Sequence, residues 1–405
     1  MITEIDDPLE HWRDRFVLPE AIYLDGNSLG PLLIDVKQRL ESTISTEWGQ
    51  DLISSWNKHQ WIDLPGIVGE KIAPLVGSKP GQVICTDNVS LNIFKLLATA
   101  LLLQPDRVKV VAMKDTFPTD LYMIQGMQGI LGRHKCELVM ALSEEHLLSA
   151  IDNSTNIVLL SHVNFRTGEL LDIAKITQCA HEQEAMVLLD LSHSVGVVPI
   201  GLDALDVDFA AGCGYKFLNG GPGAPAFLYV NKRHQNKVKQ PLSGWMGHQA
   251  PFDFHPAYTP AVGIAQYLSG TPGILGLSAL DAAISIWEAI DLTAVRNKSK
   301  QLTNLFIDRV TQEPDLGSVR VASPLDAERR GSQVSLVHEH AYAIVQAMIE
   351  RGVVCDYREP DLIRFGFAPL YIRYQDVVDA AAILADVMKT GLYHSDRFQA
   401  MQQVT

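Results

Sequence analysis

AGCGYKFLNGGPGAPAFLYV, residues 211–230, is the stretch from which the rest of the chain is read. Lys216 stands behind Tyr215 and ahead of Gly220, Gly221, Pro222 and Gly223. Glycine and proline disfavour a continuing helix, so the lysine belongs at the end of a strand or in a tight loop. The apolar run 224–230 reads as a buried strand. Two readings of the lysine follow. It snorkels, with its stem buried and its ammonium in water. Or its amine forms a Schiff base with an aldehyde cofactor. The segment alone is compatible with both.

Upstream of it, apolar runs alternate with helical patterns. Strands are expected at 108–113, 137–142, 156–162, 186–191 and 207–212, and helices at 119–129, 144–151 and 171–184. Strands that read as unbroken apolar runs between helices predict an α/β fold with a mostly parallel central sheet and helices on both faces. Ligands of such sheets bind at the carboxyl ends of strands, which here are residues 115–120, 161–165, 190–193 and 214–216. Further helices are expected at 34–48, 65–76 and 91–103. Asn88 and Ser90 stand where the cap of the last belongs, and free N–H groups beside a hydroxyl suit a phosphate, although most capped helices bind nothing.

Residues 232–273 are rich in proline, glycine and aromatics and read as a long functional loop region. A helix over 274–310 leads to a smaller α+β part with strands at 318–322, 332–337 and 362–367 and helices at 341–351 and 375–388. The tail from Tyr393 reads as polar and frayed. The division expected is an N-terminal arm and helix, 1–50, belonging to the small part; a large α/β domain, 51–275; and a connecting helix with a small domain, 276–405.

Composition narrows the function. The 405 residues carry a formal charge of −14 and a pI near 5.3, which argues against non-specific nucleic-acid binding. No apolar run reaches the roughly 18 residues that span a bilayer. The start, MITEIDDPLEHW, resembles neither a secretory signal nor a basic transit peptide. Five scattered cysteines without a CxxC pair fit reduced thiols in a cytoplasmic protein. No GxGxxG follows an early strand, which disfavours a dinucleotide enzyme.

Four features at strand ends belong together. Asp190 closes the apolar run MVLLD, and a carboxylate there needs a positive partner or strong donors. In a pyridoxal phosphate enzyme the partner is the protonated pyridine nitrogen; in a plainer reading Asp190 caps a helix. Asp190 with His193 also raises a metal site, but no third ligand is placed near them. The order of phosphate helix, Asp190 and Lys216 is that of the aminotransferase-like pyridoxal phosphate enzymes. Asp120 and Ser161 end other strands. Arg364, in DLIRFGFAP, carries a fork suited to a carboxylate, or is a surface strand arginine. Asn27 and Ser28 lie in YLDGNSLGPL, residues 23–32, which is strong turn chemistry and either a substrate loop or a plain connection.

Seven motifs, in order, resemble the kynureninase family: YLDGNSLGPL, FPTD (117–120), HVNFRTG (162–168), LDLSHSVG (189–196), GCGYKFLNGGPG (212–223), GWMGH (244–248) and GTP (270–272). The resemblance covers roughly residues 23–367. It implies a homodimeric, fold type I pyridoxal phosphate hydrolase with active sites at the subunit interface. Such an enzyme cleaves the Cβ–Cγ bond of L-kynurenine to give anthranilate and L-alanine, a step of tryptophan catabolism. By motif position, Lys216 would hold the cofactor, Asp190 would pair with its pyridine nitrogen, and His193 would sit near the ring. Val89 and Ser90 would hold the phosphate, with Tyr215 donating to it and serving proton transfer. Phe117, Pro118, Thr119, Asp120 and Ser161 would surround the ring. Trp245 and Thr271 would reach the phosphate from the partner subunit. Arg364 would grip the substrate carboxylate, with Asn27, Ser28 and Trp61 also at the substrate. Trp61 and Thr271 resemble the type that prefers kynurenine to 3-hydroxykynurenine. The rivals are a cysteine desulfurase, for which Cys355 in RGVVCDYREP is the one small-domain candidate, an aminotransferase, or a non-catalytic cofactor-binding paralogue.

Overall fold

The computed structural model describes residues 7–237 and 240–401. Its centre is a seven-stranded sheet. In chain order the strands are β1 (Val83–Cys85), β2 (Lys109–Met113), β3 (Glu137–Ala141), β4 (Thr155–Ser161), β5 (Met186–Asp190), β6 (Phe209–Gly212) and β7 (Phe227–Val230). Across the sheet they run β1-β7-β6-β5-β4-β2-β3. β7 is antiparallel to both neighbours and the other pairings are parallel. Every residue of β4, β5, β6 and β7 is buried, because helices cover both faces, so these segments read as unbroken apolar runs.

The one reversal decides where the lysine goes. Antiparallel neighbours need no crossover helix. The chain leaves the carboxyl end of β6, passes through Lys216 and returns as β7. Register sets the rest of the edge: Ser161 of β4 pairs with Asp190 of β5, which pairs with Ala211 of β6. Three strand ends therefore stand on one rung.

The smaller part is a four-stranded antiparallel sheet of β8 (Arg320–Val321), β9 (Gln333–Val337), β10 (Asp356–Arg358) and β11 (Leu362–Gly366), in the order β8-β9-β11-β10. Ile22–Tyr23 of the arm pairs with Val353–Val354, so the arm docks on this part.

Several expectations need correction. The helix expected over 274–310 is two, Ile274–Ser285 and Leu292–Gln312. Asp291 starts the second by accepting the Thr293 N–H at 2.8 Å, and the apolar period continuing through the break had hidden it. The first helix extends past 48, passing from Ile34–Ser42 into wider π turns over Thr43–Asp51. β7 starts at Phe227, later than 224, and β8 spans two residues rather than five. The tail is not frayed over its described part: Tyr393 and Phe398 are buried and the Tyr342 hydroxyl donates to the Ala400 carbonyl at 3.0 Å. Residues 402–405 lie outside the described ones.

Candidate active site

The carboxyl ends of β1, β4, β5 and β6 open on one cleft. Lys216 enters it from the β6–β7 loop, which is shaped by glycine. Gly221 and Gly223 have φ of +87° and +72°, the left-handed region that costs other residues energy. On the far side the arm presses on the same loop. The Gly30 N–H donates to the Tyr215 carbonyl at 2.8 Å, and a Cβ on Gly30 would stand 2.3 Å from the Lys216 carbonyl oxygen.

The Lys216 amine lies 2.9 Å from His193 Nε2. Burial, followed by the Lys216 charge, holds His193 well below its ordinary range. The imidazole is therefore neutral and Nε2 accepts from the ammonium. Asp190 is buried with a raised pKa caused first by desolvation, offset by Ser192 and Lys216. Its Oδ1 accepts the Ser192 N–H at 2.9 Å and the Ser192 hydroxyl at 2.6 Å. Among the described residues no donor meets its Oδ2. Asp120 is also buried, and desolvation followed by the Asp190 charge raises it well above a carboxylate's usual range. Its Oδ2 stands 3.4 Å from both Thr116 Oγ1 and Ser161 Oγ, which are 2.9 Å from each other. Of the two carboxyls Asp120 takes the proton. Burial also raises Tyr215, so its phenol is protonated.

The floor of the cleft is the start of the helix Val89–Leu103. Asn88 caps it by accepting the Leu91 N–H at 3.1 Å. The N–H groups of Val89 and Ser90 meet no acceptor among the described residues, and both residues line the cleft. Phe117, which precedes Pro118 at the start of the next helix, is half exposed and meets Phe165 edge-on at 5.2 Å. Thr119 and Ser161 line the wall, while Pro118 does not.

This donor and acceptor set fits pyridoxal phosphate. An amine is present for the aldehyde, an open carboxylate oxygen for a pyridinium N–H, free helix N–H groups for the phosphate, and an aromatic face for the ring. Among the described residues no group of three or more His, Cys, Asp or Glu is arranged to hold a metal ion.

The remaining expected residues lie outside the cleft lining. Arg364 is fully buried on β11. Its Nε donates to Asp356 Oδ1 at 2.7 Å, Nη2 bonds Asp356 Oδ2 and the Ser28 hydroxyl, and Nη1 donates at 2.7 Å to the carbonyl of Phe165, a cleft residue. It thus borders the cleft one residue deep, and it is not a surface arginine. Asn27 is buried against Gly366 and Gln333. Trp61 does not face this chain's cleft: its indole N–H donates to Glu47 at 2.7 Å and its ring meets Trp56 edge-on. Trp245 lies on the surface with Phe252 and Phe254, and Thr271 lines a neighbouring cavity with Asp87 and Gly223. Cys355 is buried and its thiol is pushed far up, which is the setting of an inert cysteine.

Sequence reasoning placed Thr116, Phe165 and Ser192 only within the strand-end ranges, with no role of their own, and left Asp356 out. Ser192 was within reach, since a Ser two residues after a strand-end Asp commonly closes an Asx-type turn. Asp356 was not, because its partner lies across a strand pair whose register only the fold supplies.

Known proteins resemble this chain in sequence and in fold. A sequence model described as Kynureninase C-terminal domain matches residues 295–384. The chain is 43% identical over 405 residues to a kynureninase of Burkholderia pseudomallei (strain 1106a), covering 99% of this chain and 97% of the relative. It is 41% identical over 410 residues to a kynureninase of Pseudomonas fluorescens, covering 100% and 98%. Similar solved structures include a cysteine desulfurase from Thermococcus onnurineus NA1, with TM-score 0.79 and 19% identity over 96% of this chain and 100% of that one. Another is a C-DES mutant with glycine covalently linked to its pyridoxal phosphate, with TM-score 0.78 and 18% identity over 92% and 99%. At that identity the structural likeness speaks for the fold.

Proposed function

The chain belongs to the kynureninase family, and on that premise we propose how its residues carry out the family's hydrolytic carbon–carbon cleavage. The chain is a pyridoxal phosphate-dependent hydrolase of fold type I. The observation that carries the site assignment is Asp190: a buried carboxylate with one oxygen held by Ser192 and the other open to the cleft that Lys216 enters. An open buried acceptor costs about 1–3 kcal/mol unless a ligand donor meets it.

When bound, pyridoxal phosphate supplies an electron sink conjugated with the substrate's amino group. Asp190 would keep the pyridine nitrogen protonated. Lys216 would tether the cofactor and, as a free amine, would take the Cα proton, with neutral His193 accepting an N–H from it at Nε2. Asp120, protonated, serves as a donor rather than a second anion in the cleft. Water adds to the substrate's γ-carbonyl, the Cβ–Cγ bond breaks to release anthranilate, and Tyr215, held protonated by burial, gives a proton to Cβ. Val89 and Ser90 hold the phosphate. Arg364, oriented by Asp356, grips the α-carboxylate through the edge of its guanidinium that now faces Ser28 and Phe165.

The substrate is L-kynurenine, with 3-hydroxykynurenine poorer; comparable kcat/KM for the two would refute this preference. Trp245 and Thr271 lie away from their own chain's cleft, which supports a homodimer in which they complete the partner's phosphate site. A cytoplasmic location accords with the five free cysteines.

The test is spectroscopic and fluorimetric. Purified protein with cofactor is expected to show a visible absorption band that Lys216→Ala abolishes, and to release fluorescent anthranilate from L-kynurenine. A band that survives Lys216→Ala would remove Lys216 as the attachment point. Sulfide released from cysteine, without anthranilate from kynurenine, would favour the desulfurase reading.

A further inference from the structure

Beneath the phosphate turn lies a cation that the mechanism above does not use. Lys95, on the second turn of the helix Val89–Leu103, is completely buried. Its ammonium bonds Asp87 Oδ2 and the carbonyl oxygen of Tyr267. Burying an ammonium is costly unless it is paired, so this lysine needs a reason.

Asp87 supplies one. It sits two residues before Val89 and lines the cavity that also holds Thr271 and adjoins the cleft, and its Oδ2 also accepts the Thr86 hydroxyl at 3.0 Å, a neutral donor that leaves the charge in place. A carboxylate there precedes the cleft-lining residues Asn88, Val89 and Ser90, the proposed seat of a phosphate dianion, and like charges at close range repel in a partly dry site. The shape of the turn is secured without Lys95. The Thr86 N–H donates to the Ala226 carbonyl at 2.9 Å and the Ala226 N–H to the Asp87 carbonyl at 3.0 Å. The Asn92 amide holds the Thr86 carbonyl at 3.0 Å, and Asn88 caps the helix. What Lys95 alone adds is positive charge.

We propose that Lys95 is a positioning residue for cofactor affinity: it neutralises Asp87 so that the turn 87–90 accepts a phosphate dianion, and it fastens that turn to the Tyr267 carbonyl four residues before Thr271. This rests on the reading that Val89 and Ser90 hold the phosphate.

The test compares pyridoxal phosphate with pyridoxal, which lacks the phosphate, by titrating full-length apoenzyme and following absorbance. Lys95→Met is expected to weaken pyridoxal phosphate by about tenfold or more, with pyridoxal changed by no more than about twofold, because the unpaired Asp87 repels only the phosphate. Asp87 has φ +48°, which asparagine tolerates, so Asp87→Asn removes the charge and keeps the turn. It is expected to hold pyridoxal phosphate within about threefold of wild type, and the double variant K95M/D87N within about threefold of D87N. Unchanged pyridoxal phosphate affinity in Lys95→Met, or a parallel loss of both ligands, overturns the proposal. Should Lys95→Met not fold, the double variant decides: a tenfold weaker affinity than D87N would mean that Lys95 acts other than by neutralising Asp87. Ser90→Ala separates the two layers. If it weakens both ligands alike, the phosphate reading fails; if it discriminates them and Lys95→Met does not, only the role of Lys95 falls.

Discussion

Asp190 and Asp356 are both buried carboxylates on strands, 6% and 2% exposed, and they are treated in opposite ways. Asp356 is saturated. Arg364 takes both its oxygens, Arg358 approaches Oδ2 at 2.8 Å, and the Ser28 hydroxyl donates to the same oxygen at 2.9 Å. Asp190 has one oxygen held by Ser192, and no donor among the described residues meets the other. The difference teaches where a ligand is to be looked for. A fully bonded buried acid orients its protein partners, while a half-bonded one facing a cleft is completed by something that arrives.

The largest expected effect tests the open acid. Asp190→Ala is expected to lower kcat/KM about 10³-fold, the scale of losing a preorganised electrostatic partner, with the fold retained in far-UV circular dichroism. A loss under tenfold would break the contrast. Asp356→Ala should behave differently. It leaves Arg364 buried and unpaired, so stability falls by about 3 kcal/mol in urea unfolding and KM rises more than kcat falls. Equal effects on KM and kcat would place Asp356 closer to the chemistry than proposed here. Ser192→Ala probes the bonded half of Asp190. Losing one donor to a charged acceptor, about 2 kcal/mol, should raise the Asp190 pKa and lower kcat about tenfold, most visibly at low pH. An unchanged pH profile would show that the backbone N–H alone suffices.

The smallest effect concerns Asp25, the acid beside Asp356, which forms no ion pair with an arginine among the described residues. Burial and the Asp356 charge push its carboxyl up to about 7, against the pull of Ser28, Arg364 and Arg358. A raised carboxyl pKa in the folded state contributes stability that is present below the ordinary carboxylate pKa and lost as pH rises through 7. Asp25→Asn is insensitive to this, so its stability relative to wild type should improve between pH 6 and 8, by about 1–2 kcal/mol. A pH-independent difference would show that Asp25 is charged throughout.

Much of the large sheet was legible because its strands are buried on both faces and so carry unbroken apolar runs. Asp190 and Lys216 were legible because each interrupts or follows such a run. What the sequence concealed depends on partners that only the folded register brings together. Arg364 and Asp356 stand directly opposite on adjacent strands, and nothing local announces that register. The break at Asp291 was hidden by apolar periods on both sides. The family resemblance puts Trp61 at the substrate, yet its indole N–H turns toward Glu47 because a buried N–H requires an acceptor.

The arm contributes one last consequence. Within residues 25–30, Ser28 touches Arg364 and Gly30 touches the backbone of Tyr215. A single short turn therefore spans from the guanidinium to the loop that carries Lys216. On the roles proposed for these two residues it works as a caliper, setting the gap between the point that would receive an amine and the point that would receive a carboxylate. An amino acid whose two groups are spaced differently from those of an α-amino acid would not match that gap.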